Sequence, residues 1–397
     1  MISTAEAQKI ISDSLHPLGA ITLDIERSLN CVLAEDIVSD ENVPAFDNSQ
    51  MDGYAVRADD LLHPPSRLKI VGEIPAGENA TRELKSGEAM SIMTGAKIPR
   101  GCDAVVQQEW TTSIDAATIG VLLSVPHGNN IRKAGADIRS GALVLKKGHL
   151  LRPQEVGVLA SLGKKYIAVY RPASVAVLPT GNEIVDIDKP LVEGKIRNSN
   201  AYTLSCMVRE TGCETIKVEV AKDEKGDLKE KILIGLKQDM LITTGGVSVG
   251  KYDLVMDVVR EVGVQIRFWK VNIKPGMPLL FGMHEAKPVF GLPGNPVSTV
   301  VTFLQFVRPA LYKMMGRLDH PRLSLMAQST EEIKKRDGKR HFMRGILDRR
   351  NGTLSVHPAG SQVSNVLTSL AIANCLIIIP EETEVVRPGE EVEVELL

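Results

Sequence analysis

Aromatic residues are scarce in this chain, 4% of 397 residues, too few for a row of stacking platforms on single-stranded nucleic acid. An excess of one charge is lacking too. Its 47 Lys and Arg nearly balance 49 Asp and Glu, for a formal net charge of −2. That excludes the basic footprint of a nucleic-acid binder. No run of about 18 apolar residues is present, so no membrane span is expected. The five cysteines, Cys31, Cys102, Cys206, Cys213 and Cys375, are scattered and form no C-x-x-C pair. Such usage points to small reduced thiols and not to a disulfide framework. The eight histidines form no H-E-x-x-H, which argues against zinc. The opening MISTAEAQKIISDSL carries early acids and does not read as a cleaved export signal, so the cytoplasm is the expected location.

The length is more than one core fills, and three or four domains are expected. Ser3 and Glu6 have capping-box spacing and open a helix to Leu15. From Leu68 to Ile138, short β-type runs alternate with Gly, Pro and Asn turns, as in a small β domain. GALVLKKGHLL reads as a hairpin, and Pro153 then opens a helix closed by Gly163. After Arg171 the texture changes. VAVLPTG, DMLITTGG and PVFGLPGNP read as buried strands. Helices follow them over NSNAYTLSCMVRETG (capped by Asn198 or Asn200), KGDLKEKILIGLKQ, KYDLVMDVVREVG and VSTVVTFLQFVRPAL. Strands alternating with helices predict a parallel, doubly wound sheet. From about Pro321 only short strands remain, with Asn351-Gly352 as a hairpin turn, which predicts a small β-barrel.

Ligands of an open α/β sheet sit beyond the carboxyl ends of its strands. Three predicted strands end there in Pro179-Thr180-Gly181, Thr243-Thr244-Gly245-Gly246 and Leu292-Pro293-Gly294-Asn295-Pro296. Glycines let a backbone approach a ligand, and amide N–H groups at helix starts attract anions. Residues 245–252, GGVSVGKY, also fit a phosphate loop at every place but the last. There Tyr252 cannot supply the hydroxyl that holds magnesium, which disfavours an ATPase. Glu183 and Asp253 stand beside these turns. Their charges would repel an anion unless a divalent metal or lysines such as Lys270 and Lys274 neutralise them. Asp253 is equally a helix N-terminal acid.

Eight stretches in order resemble the MoeA-like molybdopterin molybdenumtransferases, a family that includes the C-terminal domain of gephyrin. They are PAFDNSQMDGYAVR (44–57), IMTGAKIPRGCDAVV (92–106), GADIRSGALVLKKG (135–148), LPTGNEIV (178–185), ITTGGVSVGKYD (242–253), KPGMPL (274–279), GLPGNPVSTVVTF (291–303) and GSQVSNVLTSLAIANCLIIIP (360–380). The resemblance implies a multidomain α/β plus β fold: an elongated N-terminal linker domain (1–43 and 139–171), a small β domain (44–138), a doubly wound α/β domain like the stand-alone molybdopterin adenylyltransferases (172–320), and a C-terminal β-barrel (321–397). It implies insertion of molybdate, or tungstate, into adenylylated molybdopterin with magnesium-dependent release of AMP. It also implies a homodimer with a cleft shared between subunits, and transient contact with the adenylyltransferase. The segments around Asp52 and Thr94 separate an insertase from an adenylyltransferase alone, and the lack of a long linker disfavours a receptor-clustering scaffold.

By motif, the resemblance gives catalytic roles to Asp52, Thr94, Glu183, Asp253, Lys270 and Lys274. It places Asp52, Glu183 and Asp253 at the metal. It puts Asp137, Thr180, Gly181, Asp223, Gly245, Gly246, Ser248, Gly250, Pro293, Gly294, Asn295 and Pro296 against substrate. Plainer readings stand beside these. Gly53 after Asp52 suits a positive-φ turn, Thr94 a turn cap, Asp137 a solvated loop acid, Asp223 a helix cap and Lys270 a surface lysine. Two departures are visible: Asn182 where many relatives have an acid, and Met277 where bacterial members often have lysine.

Overall fold

Which faces of the 172–320 strands are apolar decides how helices cover them. The computed structural model describes residues 1–246, 254–317, 323–350 and 352–397. Six strands form the sheet: β1 (Ser174–Pro179), β2 (Glu214–Lys217), β3 (Met240–Thr244), β4 (Gln265–Trp269), β5 (Leu280–His284) and β6 (Lys287–Leu292). Their order is β2-β1-β3-β6-β5-β4. Val175 and Val177 of β1 pack on one side, with Ala201, Leu204 and Val208 of helix α2 (Ser199–Glu210). Ala176 and Leu178 pack on the other, against α3 (Lys225–Gly235) and α4 (Leu254–Glu261). The period of two along a strand thus clothes both faces, and the sheet is doubly wound.

The sheet is parallel over β2, β1, β3 and β6, but β5 and β4 join antiparallel. A wholly parallel sheet was the expectation. The β5–β6 turn passes through Glu285 at φ 54°, a conformation usually signalled by Gly or Asn. With HEAK at the turn, the sequence carries no such mark.

By internal packing the chain divides into two units. The first comprises Met1–Ala34, Gly148–Arg152 and Ile167–Leu397, the second Glu35–Lys147 and Pro153–Tyr166. The four-domain division with its borders stays a proposal resting on the resemblance. Within the first unit, helix α1 (Thr4–Asp13) is capped by Ser3, whose Oγ accepts from the Glu6 N–H at 3.1 Å. The β-barrel also lies here: β7 (Ser324–Ser329), β8 (Arg340–Arg350), β9 (Thr353–Pro358), β10 (Cys375–Ile379) and β11 (Glu391–Leu396). β8 pairs with β9 and β10, β7 with β9 and β11, and β10 with β11, so five strands close on themselves. Closure leaves no sheet edge among them. Asn351 of the expected hairpin lies outside the described residues.

The second unit holds a six-stranded sheet in the order 104–107, 53–56, 88–92, 66–74, 118–121, 111–115. Val56, Leu68, Ala89, Val106 and Ile119 fill one face, and Ala55, Ile74, Met90 and Val105 the other. The hairpin expected over 141–151 does not form. Leu143–Leu145 pairs instead with Ile37–Val38, about a hundred residues away in sequence, a partner that local turn signals cannot reveal. Among the described residues no helix is long and apolar enough to cross a membrane.

Candidate functional site

Three turns at the carboxyl ends of β1, β3 and β6 line a cleft of about 630 Å3 in the first unit. Thr180, Glu183, Gly245, Gly246, Gly294 and Asn295 stand on it. One side chain ties the β3 and β6 turns together. Asn200, in the first turn of α2, donates from Nδ2 to Thr244 Oγ1 (3.0 Å) and to the Gly294 carbonyl (2.8 Å). Thr244 Oγ1 in turn donates to the Pro293 carbonyl at 3.2 Å. Asn198 caps α2, accepting from the Ala201 N–H at 3.2 Å. Both asparagines and Arg197 line the cleft. Sequence reasoning took the asparagines only as caps; the signal it passed over is two asparagines at one helix start facing a strand-end cleft.

The glycines serve close approach. A Cβ on Gly245 would lie 2.6 Å from the Thr180 carbonyl oxygen, and one on Gly246 2.5 Å from a Val255 methyl. Both have positive φ, 95° and 63°, so a side chain is excluded twice over. Their expected use as a cradle of amides is corrected in part. The N–H groups of Thr180, Gly181 and Gly245 already donate to the carbonyls of Thr244, Ala221 and Leu292. Gly294 and Asn295 keep N–H groups with no protein partner among the described residues. Ser248, Gly250 and Asp253 lie outside the described residues.

Glu183 is exposed on the cleft, and its carboxylate folds over Gly181, where a Cβ would come within 2.5 Å of Oε2. Asp223 is no helix cap: its Oδ2 accepts from the Asn182 N–H, and Asn182 Oδ1 accepts from the Asp223 N–H, each at 3.1 Å. Asn182 therefore closes a reciprocal pair with Asp223 through its amide oxygen. Among the described residues no three His, Cys, Asp or Glu side chains converge on a metal position. Magnesium, which the resemblance implies, does not need three. It is usually held by one or two carboxylates, substrate phosphates and water, and the hard oxygens of Glu183 fit that role.

A second cleft, of about 670 Å3, shares Pro278, Pro293 and Asn295 with the first. Its walls are cationic: Lys274, Lys334, Lys339 and Arg344 line it, with His341. Arg344 is 1% exposed and among the described residues pairs with no carboxylate; it donates to Ser369 Oγ and to the carbonyls of Ser361 and Val363. Met277 also lines this cleft, and Lys339 Nζ approaches its sulfur at 3.6 Å. The ammonium of a lysine from the barrel unit's loop thus stands beside the apolar Met277. Lys270 is not on either wall. Its φ is 82°, and its ammonium sits 4.0 Å over the Trp269 ring, a cation–π contact.

In the second unit the structure brings Asp52 and Thr94 together. Both the N–H and the hydroxyl of Thr94 donate to Asp52 Oδ1, at 2.7 and 2.8 Å. Those bonds, the N–H first, hold the carboxyl below its usual range, and Oδ2 has no protein partner among the described residues. Gly53 has no positive φ. It is glycine because a Cβ would stand 2.0 Å from the Val106 carbonyl oxygen. Asp137 is exposed, and its N–H donates to the Val43 carbonyl at 3.0 Å.

Comparison with known proteins follows the same segments. Residues 2–163 match the MoeA N-terminal region (domain I and II), 176–313 a probable molybdopterin binding domain, and 326–397 the MoeA C-terminal region (domain IV). A molybdopterin molybdenumtransferase of Haemophilus influenzae is 39% identical over 393 residues, 98% of this chain and 96% of the relative. One of Staphylococcus aureus is 34% identical, covering 99% of this chain and 95% of its own. The crystal structure of a molybdopterin biosynthesis moeA protein from Pyrococcus horikoshii OT3 superposes with a TM-score of 0.86 at 32% identity, covering 100% of both chains.

Proposed function

This chain belongs to the molybdopterin molybdenumtransferase family, and we propose on that footing that it joins molybdate to adenylylated molybdopterin and releases AMP. As a family member it is a transferase of molybdenum cofactor biosynthesis. The observation that carries the finer reading is the pair of adjoining clefts. The first is walled by glycine turns and amide side chains, which suit a pterin and its phosphates approaching backbone closely. The second is lined by cations, which suit a tetrahedral dianion. Pro278, Pro293 and Asn295 stand on both, so two such ligands would meet there.

Thr180, Gly181, Gly245, Gly246, Gly294 and Pro296 would shape the pterin-adenylate site, with Asn198 and Asn200 orienting it. Ser248, Gly250 and Asp253 are assigned to it from their motif alone. Lys274 and Arg344 would attract the oxyanion and hold negative charge as it is transferred. Glu183 and Asp253 would hold magnesium, which when bound neutralises the phosphoanhydride and polarises its P–O bond. Asp52, fixed by Thr94, would present its free oxygen to a cleft of a second subunit, with Asp137 on the same β unit. That shared cleft, the homodimer, the cytoplasmic location and the contact with an adenylyltransferase rest on the resemblance. Asp223 and Lys270 keep supporting roles, the first through Asn182.

The test mixes purified protein, adenylylated molybdopterin, molybdate and magnesium and follows AMP by chromatography. Asp253→Asn and Lys274→Ala are each expected to slow AMP release by about 10²-fold, the usual weight of a preorganised charge at a reacting phosphate. Unaltered release in both variants would refute their assignment.

A further inference from the structure

Beside the cationic cleft lies a carboxylate that none of the motifs singled out. Asp337 Oδ2 accepts from Lys274 Nζ at 3.1 Å, and its Oδ1 accepts from His341 Nε2 at 2.8 Å. Lys274 and His341 are paired in register where Ile273–Lys274 runs parallel to β8. Both line the cleft, whereas Asp337 does not. One carboxylate outside the lining therefore grips two lining groups.

Each grip has a consequence. The side chain of Lys274 is 59% exposed, and without a partner its four-carbon stem would sample many rotamers that an arriving anion must freeze. His341 is 8% exposed, and an ionised Asp337 requires the proton on Nε2. Its Nδ1 has no protein partner among the described residues, so it is the nitrogen left for a ligand. Burial works against charge on Asp337, but the bonds from His341 and Lys274 outweigh it and hold the carboxyl well below its usual range. The His341 ring is pushed down by burial, with Lys274 and Lys335 adding to the effect against the pull of Asp337. Lys334, Lys339 and Arg344 face the same space. Across the ladder β10 presents Ile379, which carries no charge. An empty cleft thus favours neutral imidazole, and a bound dianion reverses the balance.

Resting on the oxyanion reading of this cleft, we propose that Asp337 is a positioning residue: it aims Lys274 and fixes the His341 tautomer so that Nδ1 takes up one proton as the oxyanion binds. Binding then strengthens as pH falls, because the complex holds a proton that the free protein lacks.

The experiment is calorimetric titration of the full chain with molybdate alone and with tungstate alone, between about pH 6 and 8, in buffers of different ionisation enthalpy. Wild-type protein should bind with proton uptake and lose affinity as pH rises. Asp337→Asn should weaken binding about five- to tenfold, the weight of one unfixed long side chain, and flatten the pH dependence. Asp337→Glu should restore most of both. Lys274→Ala should weaken binding yet keep the pH dependence, and His341→Gln should remove that dependence while the Asp337 carboxylate stays in place to hold Lys274, which covers the case that Asp337→Asn does not fold. Wild-type affinity and wild-type pH slope in Asp337→Asn, or an intact slope in His341→Gln, would overturn the role of Asp337 alone. No binding by wild-type protein at any pH would overturn the oxyanion reading as well.

Discussion

Asp52, Gly53 and Thr94 show what single residues disclose and conceal. Motif spacing marked all three, but not that Thr94 donates twice to one oxygen of Asp52 across 42 residues. Nor could it show that Gly53 is required by the Val106 carbonyl, since close approach in a sheet leaves no local turn pattern. Gly53→Ala should therefore destabilise the β unit by about 2–4 kcal/mol, as forced overpacking against backbone does. Calorimetric melting checks this, and an unchanged transition would show that the sheet yields. Lysines illustrate the converse. Lys270 and Lys274 are equally legible four residues apart, yet one lies over Trp269 and the other on the cationic cleft. A positive φ at a lysine, which turns the first aside, has no sequence signature.

At the scale of elements, the helix period made α2, α3 and α4 readable, and unbroken apolar runs buried on both faces made β1, β3 and β6 readable. The antiparallel β5 escaped because its turn into β6 is made by Glu285. The start of β1 is fixed by a pair equally silent in sequence. Arg171 donates two hydrogen bonds to Asp239, at 2.7 and 2.8 Å, and Ser174 donates two more from N–H and Oγ. Burial opposes the Asp239 charge, but these donors lower its pKa from 3.8 to about 2. A depressed carboxyl stabilises the fold above its unfolded value and loses that contribution as pH falls toward 2. Arg171→Ala should cost about 1–2 kcal/mol at neutral pH, discounted for the partly exposed guanidinium. The difference from wild type should shrink below about pH 4. Denaturant titrations at several pH values measure it; a gap that persists in acid would contradict the assignment. Asn200→Ala should loosen the β3 and β6 cleft turns for about 1–3 kcal/mol through two lost bonds, and hydrogen exchange at 244–246 and 293–295 should quicken.

For the whole molecule, family membership was legible because eight separated motifs occur in order, a constraint far stronger than any one glycine turn. What the motifs could not convey is that two clefts adjoin and share walls, which depends on the barrel packing beside β6 within one unit. The homodimer proposal makes its own prediction. A subunit carrying Asp52→Asn mixed with one carrying Asp253→Asn should recover part of the activity that each lacks, if every site draws on both chains. Demonstrated heterodimers without recovery would count against a shared cleft. The most direct measurement is the stoichiometry of a single turnover: AMP released and molybdenum bound to pterin, counted together with and without molybdate. Coupled chemistry in adjoining clefts predicts equal amounts of both products, with AMP formation depending on the oxyanion. Loaded pterin formed while the adenylate stays intact, or AMP released at the same rate without molybdate, would contradict it.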